Sequence, residues 1–176
     1  MPKTSFHEYS RLPDLTPYQS IAYVTDAGTP GISDPGAKFV AFAREHGWNV
    51  VSVPGPSALT SLISISGIDI SEFTFLGFPP HKKGRETFFR KVASEVLRDL
   101  NPKSGGQPVI FYEAPTRMLK ALAFLDKFCP DKKITIGREL TKKFEEVLIG
   151  TPSELLNFFS THPDKLRGEF VIMVTQ

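Results

Sequence analysis

The thirteen residues from Val24 to Gly36 read VTDAGTPGISDPG and begin within a short apolar run. They hold three glycines, two prolines, two aspartates and three hydroxyl residues, more than any one turn requires. Glycine tolerates positive φ and lets a ligand approach the backbone closely. Thr29, Ser33 and Asp34 add polar groups that could hold such a ligand. Two further clusters have the same character, Pro54–Ser57 and Glu113–Thr116. Ser57 precedes an apolar helical segment, where its hydroxyl and the free N–H groups behind it could serve a polar group. Taken singly, each cluster is equally what turn chemistry alone selects. No G-K-[ST] follows the glycines and no G-x-G-x-x-G occurs, so the phosphate-loop and dinucleotide fingerprints are excluded.

Such loops need elements to carry them. IAYVT (21–25) reads as a buried strand, PGAKFVAFAREHG as a helix with Phe39, Val40, Phe42 and Ala43 on its apolar stripe, and NVVSVPG as a second strand. SALTSLISISG reads as a helix opened by Ser57, FTFLGF (73–78) as a strand and GRETFFRKVASEVLRDL as an amphipathic helix. PVIFYEAP is a strand feeding the Glu113 loop and the helix TRMLKALAFLDKFC. KKITIGREL and FEEVLIG are adjacent strands and suggest an antiparallel pair, while GEFVIMVT is a last strand. Between them TPSELLNFFSTH carries a helix start, with Thr151 as cap, Pro152 at the first helical position and Glu154 closing a capping box. Strands alternating with helices indicate an α/β protein. In such a sheet ligands bind at the carboxyl ends of strands, where the three clusters fall.

Length and composition bound the rest. The chain has 176 residues, a hydrophobic fraction of 40% and a charged fraction of 23%, ordinary for a globular protein of one domain or two small ones. The single cysteine, Cys129, excludes an internal disulfide framework and a cysteine-rich zinc site. His7, His46 and His162 are scattered, so no metal site is expected. No apolar run is long enough to span a bilayer, no signal-peptide core is visible, and a cytoplasmic location without membrane contact is expected. The net charge of +2 does not by itself indicate a nucleic-acid partner. Its distribution is more informative. Over His81–Lys91, HKKGRETFFRK, the five basic residues Lys82, Lys83, Arg85, Arg90 and Lys91 face one acid, Glu86. Such a cluster suits either a solvated helix face or phosphate contacts with RNA, with Phe78 and His81 near enough to stack on a splayed base.

Six blocks in order, TDAGTPGISDPG, VPGPSA, GFPPHKKGR, FYEAPTR, RELTKKFEE and RGEFVIMV, resemble the ribosomal RNA small subunit methyltransferase I family. Members transfer a methyl group from S-adenosylmethionine to the 2′-hydroxyl of a cytidine in 16S ribosomal RNA, on the tetrapyrrole methylase fold. The resemblance implies a two-domain α/β architecture with the cofactor in the cleft between domains. The expected division is an N-terminal domain over 1–78 with a truncated, mostly parallel sheet, a linker over 79–84, and a C-terminal domain over 85–176 with a mixed sheet and flanking helices. The family's TPIGN-type loop and EDTR segment do not occur, so the likeness begins inside the first domain, at TSFHEYS.

The resemblance also implies a site. Gly28, Thr29, Ile32 and Asp34 would line the methionine and ribose end of S-adenosylmethionine, and Ser57 and Ala58 its other side. Phe111 and Glu113, with Gly168 and Glu169, would close over the adenosine. A ribose hydroxyl is a weak nucleophile and gains from a general base. Glu113, Glu169, Glu8 and His7 are candidates, with Glu113 preferred because it stands at a strand end beside Arg117. Lys82, Lys83, Arg85, Arg90 and Arg117 would contact small-subunit ribosomal RNA. A homodimer fits the habit of the fold family. Two other readings stay open: a methylase of a corrin or porphyrin precursor, and a methylase-fold fragment without turnover.

Overall fold

The computed structural model describes residues 14–34, 36–97 and 107–176. The chain divides into two compact units, Met1–Pro56 and Ser57–Gln176. The expected linker over 79–84 lies inside the second unit.

Helix α1, Ala37–Glu45, organises the described part of the first unit. Its apolar stripe buries Phe39 and Ala43 against Leu15, with Tyr23, Phe42, Trp48 and Val50 packed around them. Tyr23 stacks on Phe39 with ring centroids 5.3 Å apart, and its ring edge lies 2.9 Å from where a Cβ on Gly36 would stand. That close approach requires glycine. After the helix, Gly47 adopts φ +78° and reverses the chain. The two runs read as strands, Ile21–Thr25 and Asn49–Gly55, form no strand. Val24, Val51 and Val53 are instead strongly exposed. An apolar run becomes a strand only where it joins a hydrogen-bonded ladder, and neither run does so among the described residues.

The second unit is a five-stranded sheet in the order β1-β2-β5-β3-β4, comprising β1 Thr74–Phe75, β2 Val109–Glu113, β3 Lys133–Arg138, β4 Glu146–Gly150 and β5 Phe170–Thr175. Only β1 and β2 run parallel. The other three pairings are antiparallel, with Phe111 opposite Ile172, Ile136 opposite Ile172 and Ile136 opposite Leu148. β5 is buried at every position because it lies in the middle of the sheet and both its faces are covered.

On one face α3 (Arg85–Val96), α4 (Met118–Phe128) and α5 (Pro152–Thr161) present Phe89, Val92, Leu122, Leu125, Leu155 and Phe159 to Phe111, Ile134, Ile172 and Val174. On the other, α2 (Ala58–Ile65) sets Leu59 and Leu62 against Ile110, Val171 and Met173. Period-two alternation along β2 and β5 divides their side chains between these layers. The start of α5 has the expected capping box, with the Glu154 N–H donating to Thr151 and the Thr151 N–H donating to the Glu154 carboxylate at 2.7 Å.

Candidate functional site

At the carboxyl end of β2 the side chain of Glu113 is wholly buried and both of its oxygens are committed. Oε2 accepts from Arg85 Nη2. Oε1 accepts from Arg117 Nε at 3.0 Å and from the Ala114 N–H at 2.8 Å. A carboxylate with no oxygen left to face a substrate is poorly placed to take a proton from a hydroxyl. Buried and engaged by two arginines, the Glu113 carboxylate is the centre of an ion-pair hub. The Arg117 partner, four positions along the chain, was legible from spacing. Arg85, 28 positions distant, was not.

Arg85 is itself buried, so its guanidinium serves this hub and is not offered to an RNA phosphate at the surface. Its Nη1 donates to the Pro80 carbonyl at 3.3 Å and its Nη2 approaches the Arg117 carbonyl at 3.4 Å. The guanidinium carbon lies 5.3 Å from the Phe89 ring centroid. Arg117 keeps partial exposure and places Nη1 3.3 Å from His81 Nδ1. Since an arginine N–H can only donate, Nδ1 is the acceptor.

Phe111 also differs from expectation. Strand alternation turns its side chain into the core, edge-on to Phe88 and Phe89 at 5.5 and 5.8 Å, and its backbone lies in the ladder opposite Ile172. Its side chain belongs to the core. The aromatic residues that remain near the strand end are Tyr112 and Phe78, 5.3 Å apart, with Phe78 about half exposed.

Lys82, Lys83 and His81 are exposed. Farther along α3, Arg90 is paired with Glu86 at 2.9 Å and sits over the Phe128 ring at 4.6 Å. Lys127 also reaches Glu86, at 3.3 Å. Glu86 is thus spent on Arg90 and Lys127, and Lys82 and Lys83 take no share of it.

Within the first unit, the glycine-rich loop meets the Pro54–Pro56 turn. The Thr29 hydroxyl donates to the Pro56 carbonyl at 3.1 Å, and Gly28, at φ +77°, lies beneath the same oxygen. The Thr25 hydroxyl closes the turn on the Ala27 and Gly28 carbonyls. Gly31, at φ +84°, has nothing within 4 Å of where a Cβ would stand. Ile32 and Asp34 are exposed on this loop. Ser57 and Ala58 open α2, where Ser57 makes no side-chain capping bond.

Gly168 and Glu169 join a constellation of which the sequence reading named only these two. Glu139, at φ +48°, accepts the Glu169 N–H at 2.8 Å and the Lys142 ammonium at 3.0 Å. Lys142 also pairs with the Glu169 carboxylate at 3.0 Å. The Glu169 N–H bond, followed by the Lys142 contact, holds the Glu139 carboxyl below the usual glutamate range. The alternation of acids and lysines in RELTKKFEE was the available signal for Glu139 and Lys142. Glu8 and His7 lie outside the described residues. Among the described residues no three His, Cys, Asp or Glu side chains come together in a way that could hold a metal ion, and no helix is long and apolar enough to cross a membrane.

Comparison with known proteins gives this arrangement a context. Residues 12–156 match the family model for Tetrapyrrole (Corrin/Porphyrin) Methylases. The chain is 40% identical over 167 residues to a protein of Leptospira biflexa named ribosomal RNA small subunit methyltransferase I, covering 93% of this chain and 63% of that protein. Proteins of the same name from Coprothermobacter proteolyticus and Bacillus subtilis are 41% and 36% identical, over 89% and 98% of this chain and 64% and 58% of theirs. The chain thus spans about three fifths of the length of these curated relatives. Among solved structures, the methyltransferase CobJ superposes with a TM-score of 0.58 at 16% identity, over 85% of this chain and 62% of that one. The cobalt precorrin-4 methyltransferase CbiF does so with a TM-score of 0.51 at 9% identity, over 77% and 56%. At these identities the likeness speaks to the fold alone.

Proposed function

The chain belongs to the Tetrapyrrole (Corrin/Porphyrin) Methylases, and on that premise we propose that it transfers a methyl group from S-adenosylmethionine to the 2′-hydroxyl of a cytidine in small-subunit ribosomal RNA, in the cytoplasm. The observation that carries this reading is the likeness to proteins named ribosomal RNA small subunit methyltransferase I, at 36–41% identity over about nine tenths of the chain. The exposed His81–Lys83 segment beside Arg117 adds a cationic surface suited to phosphates.

We read the glycine-rich loop as one wall of the methyl-donor site. Gly28 and Gly31 hold the backbone open at positive φ, and the Thr29 bond to Pro56 fixes two loops in register. In this reading Gly28, Thr29, Ile32 and Asp34 hold the methionine and ribose end, and Ser57 and Ala58 contribute at the opening of α2. Gly168 and Glu169 meet the adenosine, with the Glu139–Lys142 pair fixing their loop. S-adenosylmethionine supplies an electrophilic methyl carbon, so the residues' task is chiefly to hold the ribose hydroxyl in line with it. Lys82, Lys83 and Arg117 supply the phosphate contacts, and Phe78 offers a face for stacking.

The test is methyl transfer from radiolabelled S-adenosylmethionine to small subunits that lack the modification. A 2′-O-methyl group blocks alkaline cleavage at its nucleotide, so the label is expected in an alkali-resistant dinucleotide led by cytidine. Label on a base, or no transfer to RNA, would contradict the proposal.

A further inference from the structure

We propose that Glu113 is a positioning residue which, through Arg85 and Arg117, holds the His81–Gly84 segment as a preformed cationic lip for the phosphates of single-stranded RNA. This rests on the ribose methyltransferase reading and specifies how its RNA surface is built.

The geometry carries it. One buried guanidinium, that of Arg85, joins the Pro80 carbonyl, the Glu113 carboxylate and the Arg117 carbonyl, and so fastens the 79–84 segment to the end of β2 and the start of α4. Gly84, at φ +86°, turns the chain from this segment into α3, and the Arg85 N–H reaches back to the Lys82 carbonyl at 3.3 Å. Arg117 extends the same hub to His81.

The charges sum to an excess of cation. One carboxylate faces two guanidiniums, Lys82 and Lys83 stand exposed alongside, and Glu86 is engaged by Arg90 and Lys127. A surface of this sign attracts phosphates, and a surface already ordered loses less conformational freedom on binding. A proton acceptor would need one oxygen free to meet substrate, and Glu113 has both engaged. Removing its charge while keeping its shape would leave two guanidiniums without a counter-ion and release the segment.

The experiment compares the chain with its Glu113→Gln variant in three readouts: anisotropy of a fluorescent 12-nucleotide single-stranded RNA across a salt series, amide exchange of peptides covering 79–88, and steady-state methyl transfer. Glu113→Gln is expected to weaken RNA binding about tenfold with a shallower salt slope. It should also accelerate exchange over 79–88 while β3 and β5 stay protected. KM for RNA should rise about tenfold and kcat fall less than about threefold. Loss of kcat with KM and exchange unchanged would make Glu113 the base and overturn the proposal. Equal RNA affinity and equal exchange would also overturn it. If the unaltered chain neither binds RNA nor transfers a methyl group to it, the methyltransferase reading falls, and the ordering role is then decided by exchange alone. Should Glu113→Gln not fold, Arg117→Gln preserves the buried Arg85–Glu113 pair, and the same shifts, smaller in size, are expected from it. Their absence in that variant would overturn the proposal.

Discussion

Replacing Gly168 by alanine tests the loop constellation at its tightest point. Gly168 stands at φ +85°, and a Cβ there would lie 2.5 Å from the Cγ, Cδ and Oε1 atoms of Glu139. The left-handed conformation alone costs an alanine about 1 kcal/mol. The contact must also be relieved by moving the Glu139 side chain, which then loses the Glu169 N–H at 2.8 Å and Lys142 at 3.0 Å. Each of these bonds is worth about 0.5–1 kcal/mol at a partly exposed site. Gly168→Ala should therefore cost about 2–3 kcal/mol, read as a lower urea midpoint at unchanged slope. Gly67→Ala is the control, since Gly67 sits at φ +70° with nothing within 4 Å and carries only the backbone cost of about 1 kcal/mol. In a Glu139→Ala background the clash is gone, and Gly168→Ala should fall to the same value. A Gly168→Ala cost no larger than that of Gly67→Ala, or one indifferent to Glu139, would refute the reasoning.

Two further outcomes are expected. The folded-state value for Glu139 lies below its unfolded value, so its contribution is present above the ordinary glutamate range and is lost as pH falls through the lowered value. Urea midpoints measured from pH 6 down to pH 3 should therefore fall less steeply for Glu139→Gln than for the unaltered chain. The Cys129 thiol is pushed up to about 11 by burial, against a smaller opposing effect of Lys132. At pH 8 only about one molecule in a thousand would carry the thiolate. Mass spectrometry should then find Cys129 unalkylated by iodoacetamide until denaturant is added.

What the sequence discloses depends on how local the cause is. The capping box at Thr151 and Glu154 is written in four adjacent residues, and α5 begins where they predict. The β3–β4 pair is signalled by two apolar runs with a short polar turn between them. The runs at 21–25 and 49–55 carry the same apolar signal, yet Val24, Val51 and Val53 are exposed, because strand formation depends on a partner that composition does not reveal. The site divides in the same way. Glu113 was singled out for its place at a strand end, but its chemistry is decided by Arg85, brought there by the packing of α3 on the sheet. Phe111 could have been set aside, since alternation along β2 puts it on the same face as Val109, toward the helices. The open glycine backbone around Gly28 and Gly31 was legible because positive φ is a property of single residues.

The most direct test of a methyl-donor site is calorimetric titration of S-adenosylhomocysteine into the chain, repeated with Asp34→Ala and Ser57→Ala. Saturable binding with a micromolar Kd, weakened by either substitution, is the predicted result. No binding heat at millimolar ligand, or binding untouched by both substitutions, would contradict the assignment of the glycine-rich loop and the α2 opening to the methyl donor.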